Sequence, residues 1–191
     1  LRTTMLDCNA AIAVLDWSRE PQGLYAPIAY ALSSGGKRLR MQLVLVGCRL
    51  VGGNEPDALP FAEAIEVFHN FTLLHDDVMD RADVRRGMPT VHVKWNDNTA
   101  ILSGDQMLIS AYQLLEGVPA QHLAELLRLF TQTATEICEG QQYDVDFEHR
   151  DDVQISDYIE DGRIQLFVVD TVDLESWSAR DAGKEWRGGG R

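Results

Sequence analysis

The sequence predicts an all-α fold, a bundle of about six or seven helices. Three observations carry that reading. Apolar residues recur at three- and four-residue spacing along most of the chain, the period-two alternation of half-buried strands is rare, and Gly- and Pro-containing breaks separate the periodic stretches.

Taken in order, a first amphipathic segment covers residues 3–17 and is broken by Pro21 and Gly23. A short second helix, 24–32, ends at Ser33-Ser34-Gly35-Gly36. The third, 37–51, has a basic first turn and is then apolar almost all round, which predicts burial before Gly52-Gly53 stop it. A central helix is expected from near residue 57, through Pro60 in its first turn, to about residue 81. Residues 82–98 hold Gly87, Pro89 and several Asn and Asp, and read as a loop over the end of that helix. Two long helices follow, 99–115 and 121–147, separated by Gly117 and Pro119. The expected organisation is one helical domain over residues 1–160 and a divergent tail over 161–191. In that tail RIQLFVVDTVDLESW reads as either strand or helix, and the Gly-rich end is expected to be disordered.

With 191 residues and 45% hydrophobic content the chain is long enough for one domain with a sizeable core. The 30 acidic against 17 basic residues give a net charge of -13, which argues against nucleic-acid binding, because phosphate backbones need clustered Lys and Arg. Cys8, Cys48 and Cys138 are scattered and odd in number, so neither a disulfide framework nor a zinc site is expected, and the setting reads as reducing and cytoplasmic. No apolar run approaches the roughly 18 residues of a membrane span, and no signal peptide is evident at the N-terminus. The first residue is Leu1, which reads as a trimmed or incomplete start.

The stretch HDDVMDRADVRRG, His75 to Gly87, carries the chemistry. Ile65, His69, Thr72, Asp76 and Asp80 fall on one stripe of the central helix. Like charges one turn apart cost a helix about 0.2–0.5 kcal/mol per pair unless a cation lies between them. Mg²⁺ is typically held by one or two carboxylates, waters and substrate phosphates, so the pair suits a metal–diphosphate complex. An acidic run is more often a solvated face, but FHNFTLL before it and Val78-Met79 within it argue against exposure. Arg85 and Arg86, just past the helix end, offer guanidinium forks that match phosphate oxygens. GGKRLR adds Lys37, Arg38 and Arg40 at a Gly-preceded helix start, where the dipole favours anions. It is not a P-loop, which needs GxxxxGK and then Ser or Thr. By default His69, Phe68 and Phe71 are core residues. Asp151, Asp152 and Asp157 read as capping and solvation.

In order along the chain, GGKRLR, FHNFTLLHDDVMD, RRG, then GDQ at Gly104 to Gln106 and GQQYD at Gly140 to Asp144 resemble the trans-isoprenyl diphosphate synthases, the farnesyl and geranylgeranyl diphosphate synthase family. The resemblance runs over residues 20–160. It implies an isoprenoid synthase-type helical bundle around a deep cavity, a homodimer, and Mg²⁺-assisted condensation of isopentenyl diphosphate with an allylic diphosphate. Position by position, it assigns the first aspartate-rich motif to Asp76, Asp77 and Asp80, with Asp76 and Asp80 as Mg²⁺ ligands. Arg85 falls to the allylic diphosphate, and Lys37, Arg40, His69 and Arg86 to isopentenyl diphosphate. Gln141 and Asp144 border the same cavity. Phe71 and Thr72 take the positions that set product length, and the bulk of Phe71 favours a short product. Phe68, Phe71 and Leu102 are expected to wall the cavity.

Three departures from the family pattern stand against this. A second aspartate-rich motif and a Lys-Thr pair after GQxxD are missing from the sequence, and Met41 stands where the family usually has Pro. With one aspartate wall, little or no synthase activity is expected of the chain as given. A terpene cyclase and a noncatalytic helical partner of an intact synthase are the alternative readings. A cyclase would not need the second cationic set of GGKRLR, His69 and Arg86.

Overall fold

In the computed structural model, residues 6–147 are described. The calls on the tail 161–191 and on Asp151, Asp152 and Asp157 lie outside them. The order of elements is α1 (Cys8–Ala13), α2 (Gln22–Ser33), α3 (Leu39–Leu50), α4 (Glu55–Met79), β1 (Val84–Arg85), β2 (Met88–Pro89), α5 (Val91–Lys94), α6 (Asp97–Leu115) and α7 (Ala120–Phe147). Helix dominates, as the periodicity predicts.

The chain divides into two compact units at Leu127/Arg128. In the first, α4 is the central element and packs most extensively on α6 and then α3, while α2 packs on α6. Ile28, Met41, Leu45, Ala62, Val67, Ala100, Met107 and Ala111 are among its fully buried residues. The alanines of α4 and α6 allow close approach of two backbones, and Gly104 takes this furthest. A Cβ added at Gly104 would collide with the His75 imidazole. His75 Nε2 lies 3.1 Å from the Ile101 carbonyl of α6, and the ring meets Phe71 in a T-shaped pair at 4.8 Å between centroids. Gly104→Ala is therefore expected to destabilise by about 1–3 kcal/mol through overpacking. Urea denaturation checks this, and adding His75→Ala should restore most of the loss.

Local sequence explains the boundaries. Asp7 caps α1, its Oδ1 accepting from the Asn9 and Ala10 amides at 3.0 and 3.2 Å. Asn96 caps α6 through the Thr99 amide at 2.9 Å, which starts that helix two residues before the expected 99. In α4, Pro56 lies in the first turn and Pro60 lies inside the helix, not in the first turn as read from sequence. The described part of the first segment is helical only over Cys8–Ala13, much less than 3–17.

Two expectations need correction. Helix α3 is not buried all round: Met41 and Leu45 are its buried residues, while Leu39, Leu43 and Leu50 are exposed. Apolar composition predicted burial, but within this unit α3 meets α4 along one stripe. Residues 82–98 are not a plain loop either, since they hold a two-stranded antiparallel hairpin and α5.

The second unit, from Arg128, is described through Phe147 as the continuation of α7. Gln132–Glu136 and Gln142–Asp146 side-chain bonds at i,i+4 support it. No helix of the described residues is long and apolar enough to cross a membrane.

Candidate functional site

The site begins where α4 ends. Asp80 is its C-cap residue, and Arg81 turns the chain through a left-handed conformation. The hairpin that follows pairs Val84 with Pro89 and Arg85 with Met88. Its two-residue loop is Arg86-Gly87, with φ of 51° and 76°. Positive φ at both loop positions is the type I′ arrangement, whose twist matches that of the flanking strands. Gly87 supplies one of these conformations without strain; Arg86 accepts the other.

The hairpin folds the two arginines back in opposite directions. Arg85 donates from Nε to Asp77 Oδ1 at 2.7 Å and from Nη2 to Asp76 Oδ2 at 2.9 Å. The side chains of Asp76 and Asp77 are only 13% and 6% exposed, so these are shielded, charge-assisted bonds. Asp80 is exposed, yet its charge reaches Asp76. Burial and then the Asp80 charge push the Asp76 carboxyl up to about 6, with Arg85 opposing. Burial also raises Asp77.

Arg86 reaches the other way. Its Nη1 donates to the Gly35 carbonyl and lies 3.4 Å from Ser34 Oγ. A Cβ at Gly36 would meet Arg86 Nη1 at 3.0 Å, so the GGKRLR turn and the RRG turn are packed face to face. Around this contact the charge is strongly positive. Burial, followed by the charges of Arg40, Arg86, Arg85 and Arg38, drives His69 down to about 3, so His69 is neutral at pH 7. Burial lowers Arg40 too, with Arg86 adding to it and Glu66 opposing. Lys37 is exposed at the rim.

Arg38 does not belong to this cationic set as a free charge. It is buried, holds φ of 48° at the start of α3, and donates to Glu66 Oε1 at 2.9 Å, the Leu32 carbonyl at 2.6 Å and Asn9 Oδ1 at 3.2 Å. Glu66 also accepts from Asn70 Nδ2 at 3.3 Å. Sequence reasoning missed this network. The signal was available: Glu66 is the one acid in the apolar run AIEVFHNF, where an ionised group needs a partner.

Of the remaining assignments, Phe71 is half-buried against Phe68, 5.5 Å between centroids, and Thr72 donates to the His69 carbonyl at 2.8 Å. Leu102 is 59% exposed and does not wall an interior within its unit. Gln141 and Asp144 lie on α7 in the second unit. A small cavity lies beneath the hairpin, lined by Tyr30, Asn70, Leu74, Asp77, Arg85 and Pro89 among others.

The polyprenyl synthetase family model matches residues 21–162. The chain belongs to that family. It is 46% identical over 154 residues to a geranylgeranyl diphosphate synthase of Methanosarcina mazei, covering 80% of this chain and 48% of that protein. A geranylfarnesyl diphosphate synthase of Natronomonas pharaonis is 42% identical over 160 residues, 74% of this chain and 47% of the relative. Among solved structures, the geranylgeranyl pyrophosphate synthetase of Geoglobus acetivorans superposes with a TM-score of 0.76 at 40% identity, covering 80% of this chain and 50% of that one. The chain thus spans about half the length of the curated relatives it matches. The helical fold is theirs.

The carboxylates fit a divalent cation. Asp76 and Asp80 stand one helical turn apart; burial first and then the Asp80 charge raise the Asp76 carboxyl against Arg85, and no group of three or more His, Cys, Asp or Glu placed to hold a metal ion occurs among the described residues. Two carboxylates with room for phosphate oxygens and water are a donor set suited to Mg²⁺.

Proposed function

We propose that this chain carries the aspartate-rich wall and the isopentenyl diphosphate pocket of a short-chain trans-prenyltransferase, one that makes farnesyl or geranylgeranyl diphosphate. The observation that supports it most directly is the arginine hairpin, which sends Arg85 to Asp76 and Asp77 and Arg86 to the GGKRLR turn.

In this reading Asp76 and Asp80 hold Mg²⁺, which when bound supplies electrostatic stabilisation of a diphosphate leaving group. Arg85, released from the carboxylates, turns its guanidinium fork to the allylic diphosphate. Arg86, Arg40 and Lys37 bind isopentenyl diphosphate. His69, neutral, donates a hydrogen bond there without adding charge. Phe68, Phe71 and Thr72 line the path of the growing chain and exclude water. By analogy with the family the working form is a homodimer in a reducing, cytoplasmic setting, and the exposed Ile101, Leu102 and Ile109 of α6 support a subunit contact.

The 191 residues carry one aspartate-rich motif, so turnover by this chain alone is expected at under roughly a hundredth of the usual 1–10³ per second. A second reading, a noncatalytic subunit that pairs with an intact synthase, is favoured by the apolar residues that α3 leaves exposed. Calorimetric titration with isopentenyl diphosphate and with Mg²⁺–pyrophosphate, beside an assay with geranyl and labelled isopentenyl diphosphate, tests both. Two independent sites and negligible turnover are expected. Ordinary turnover overturns the one-wall argument, and failure of both titrations overturns the site.

The pH dependence has a definite sign. Asp76 is raised, so between about pH 4 and 6 the metal-free site keeps a proton that the cation must displace. Mg²⁺–pyrophosphate affinity should therefore fall as pH drops through about 6, with proton release on binding.

A further inference from the structure

The loop that carries both arginines is a closed ring, and one buried side chain closes it. Thr90 is 3% exposed. Its amide donates to the Asp83 carbonyl at 3.0 Å, and its hydroxyl donates to the Ala82 carbonyl at 2.7 Å. The same oxygen lies 3.1 Å from His92 Nδ1. With the hydroxyl proton directed to the Ala82 carbonyl, this contact is a hydrogen bond in the His92 tautomer that carries its proton on Nδ1. Thr90 stands at the N-cap position of α5, yet its side chain makes no cap bond there. A Thr at this position usually spends its hydroxyl on the helix. Here it is spent on the loop.

The ring needs such a tie. Within it Arg86 and Gly87 have positive φ, and Arg81 just before it does too. Two-stranded ribbons are marginal on their own. Apart from Thr90, the outer tether is Tyr30 on α2, whose hydroxyl donates to the Pro89 carbonyl at 2.8 Å.

We infer that Thr90 is a positioning residue for diphosphate binding, its hydroxyl holding the Ala82–Pro89 ring so that Arg85 faces the aspartates while Arg86 faces the GGKRLR turn. This deepens the proposed function and rests on it. Thr90 touches no substrate in this role. It acts through the arginines.

The test uses Thr90→Val, which keeps the shape and removes the hydroxyl, and Thr90→Ser, which restores the hydroxyl. Titrated with Mg²⁺–pyrophosphate, Thr90→Val is expected to bind about fivefold more weakly, the range of one hydrogen bond, with Thr90→Ser within about twofold of the parent. Repeating Thr90→Val in an Arg85→Ala background separates positioning from general damage. The penalty should shrink by at least half there, and a penalty that persists in full overturns the proposal, as does unchanged affinity of Thr90→Val.

A ligand-free readout is the Arg85 Nε–H resonance, held by its bond to Asp77. It should broaden or shift in Thr90→Val and not in Thr90→Ser. If the parent fails to bind pyrophosphate, the proposed function falls while this resonance still decides the role of Thr90. Should Thr90→Val not fold, Tyr30→Phe removes only the outer tether and is expected to act in the same direction by about twofold. Parent-like affinity together with a parent-like Arg85 signal then overturns the inference.

Discussion

Replacing Arg38 by Met is expected to destabilise the first unit by about 3–5 kcal/mol, the cost of leaving a buried carboxylate without its partner. The Arg38–Glu66 pair is 3% exposed on both sides. The loss is larger than one ion pair because Arg38 also satisfies the Leu32 carbonyl and Asn9. These contacts tie α1, the end of α2, the start of α3 and the middle of α4 to one guanidinium. The urea midpoint should fall with the slope unchanged. Glu66→Gln, which keeps an acceptor and removes the charge, should cost clearly less. An Arg38→Met midpoint at the parent's value would show that Glu66 finds water or another donor, against the burial seen here.

Replacing Arg85 by Ala is expected to weaken Mg²⁺–pyrophosphate binding by about 30- to 100-fold at neutral pH, as losing a shielded bidentate contact does. Stability should fall as well, by about 2 kcal/mol, because Asp76 and Asp77 lose charge-assisted bonds. The pH dependence fixes the cause. Arg85 favours the ionised carboxylates, so its removal raises Asp76 above about 6, and the stability loss is largest above that pH and shrinks below it as the carboxyls take up protons. Denaturation at about pH 5 and 7.5 checks the sign. Arg85→Lys should recover only part of the binding, since an ammonium cannot present a planar two-pronged donor to the diphosphate oxygens.

Much of the fold was legible from periodicity, and the reason is physical. A helix that buries one face must repeat its apolar residues every three or four positions, so α4 and α6 announced themselves. Helix α3 did not follow. LRMQLVLVGCRL is apolar on both sides, and composition cannot say which side meets α4. The hairpin was hidden for another reason. Two strands of two residues are too short to show alternation, and Arg86 in a left-handed conformation is not what a turn preference favours. Capping by Asn96, by contrast, is written locally and moved a boundary by only two residues.

The candidate site divides in the same way. Asp76, Asp77, Asp80, Arg85 and Arg86 were chosen from one continuous stretch, and four of these five converge on two adjacent contacts. Arg38 was assigned to anion binding by its neighbours Lys37 and Arg40, and the structure gives it to Glu66 instead. Met79, read as shielding the acids, is 53% exposed, and Leu102 faces outward. Thr90 could not have been selected from sequence, because its importance lies in a carbonyl eight residues earlier in the chain.

Sequence by itself determined the helical architecture of the first unit, the family, and the residues that put acid and arginine next to each other along the chain. Those properties depend on spacing and residue type over a few turns, and nothing distant needs to be known. Tertiary structure alone decided which arginine is consumed by a buried carboxylate, which one reaches Asp76 and Asp77 and which the GGKRLR turn, and which hydroxyl bonds back to the Ala82 carbonyl of their loop. Those outcomes depend on which charges share low-dielectric space, and residues 28 positions apart, as Arg38 and Glu66 are, come to share it only when the helices pack.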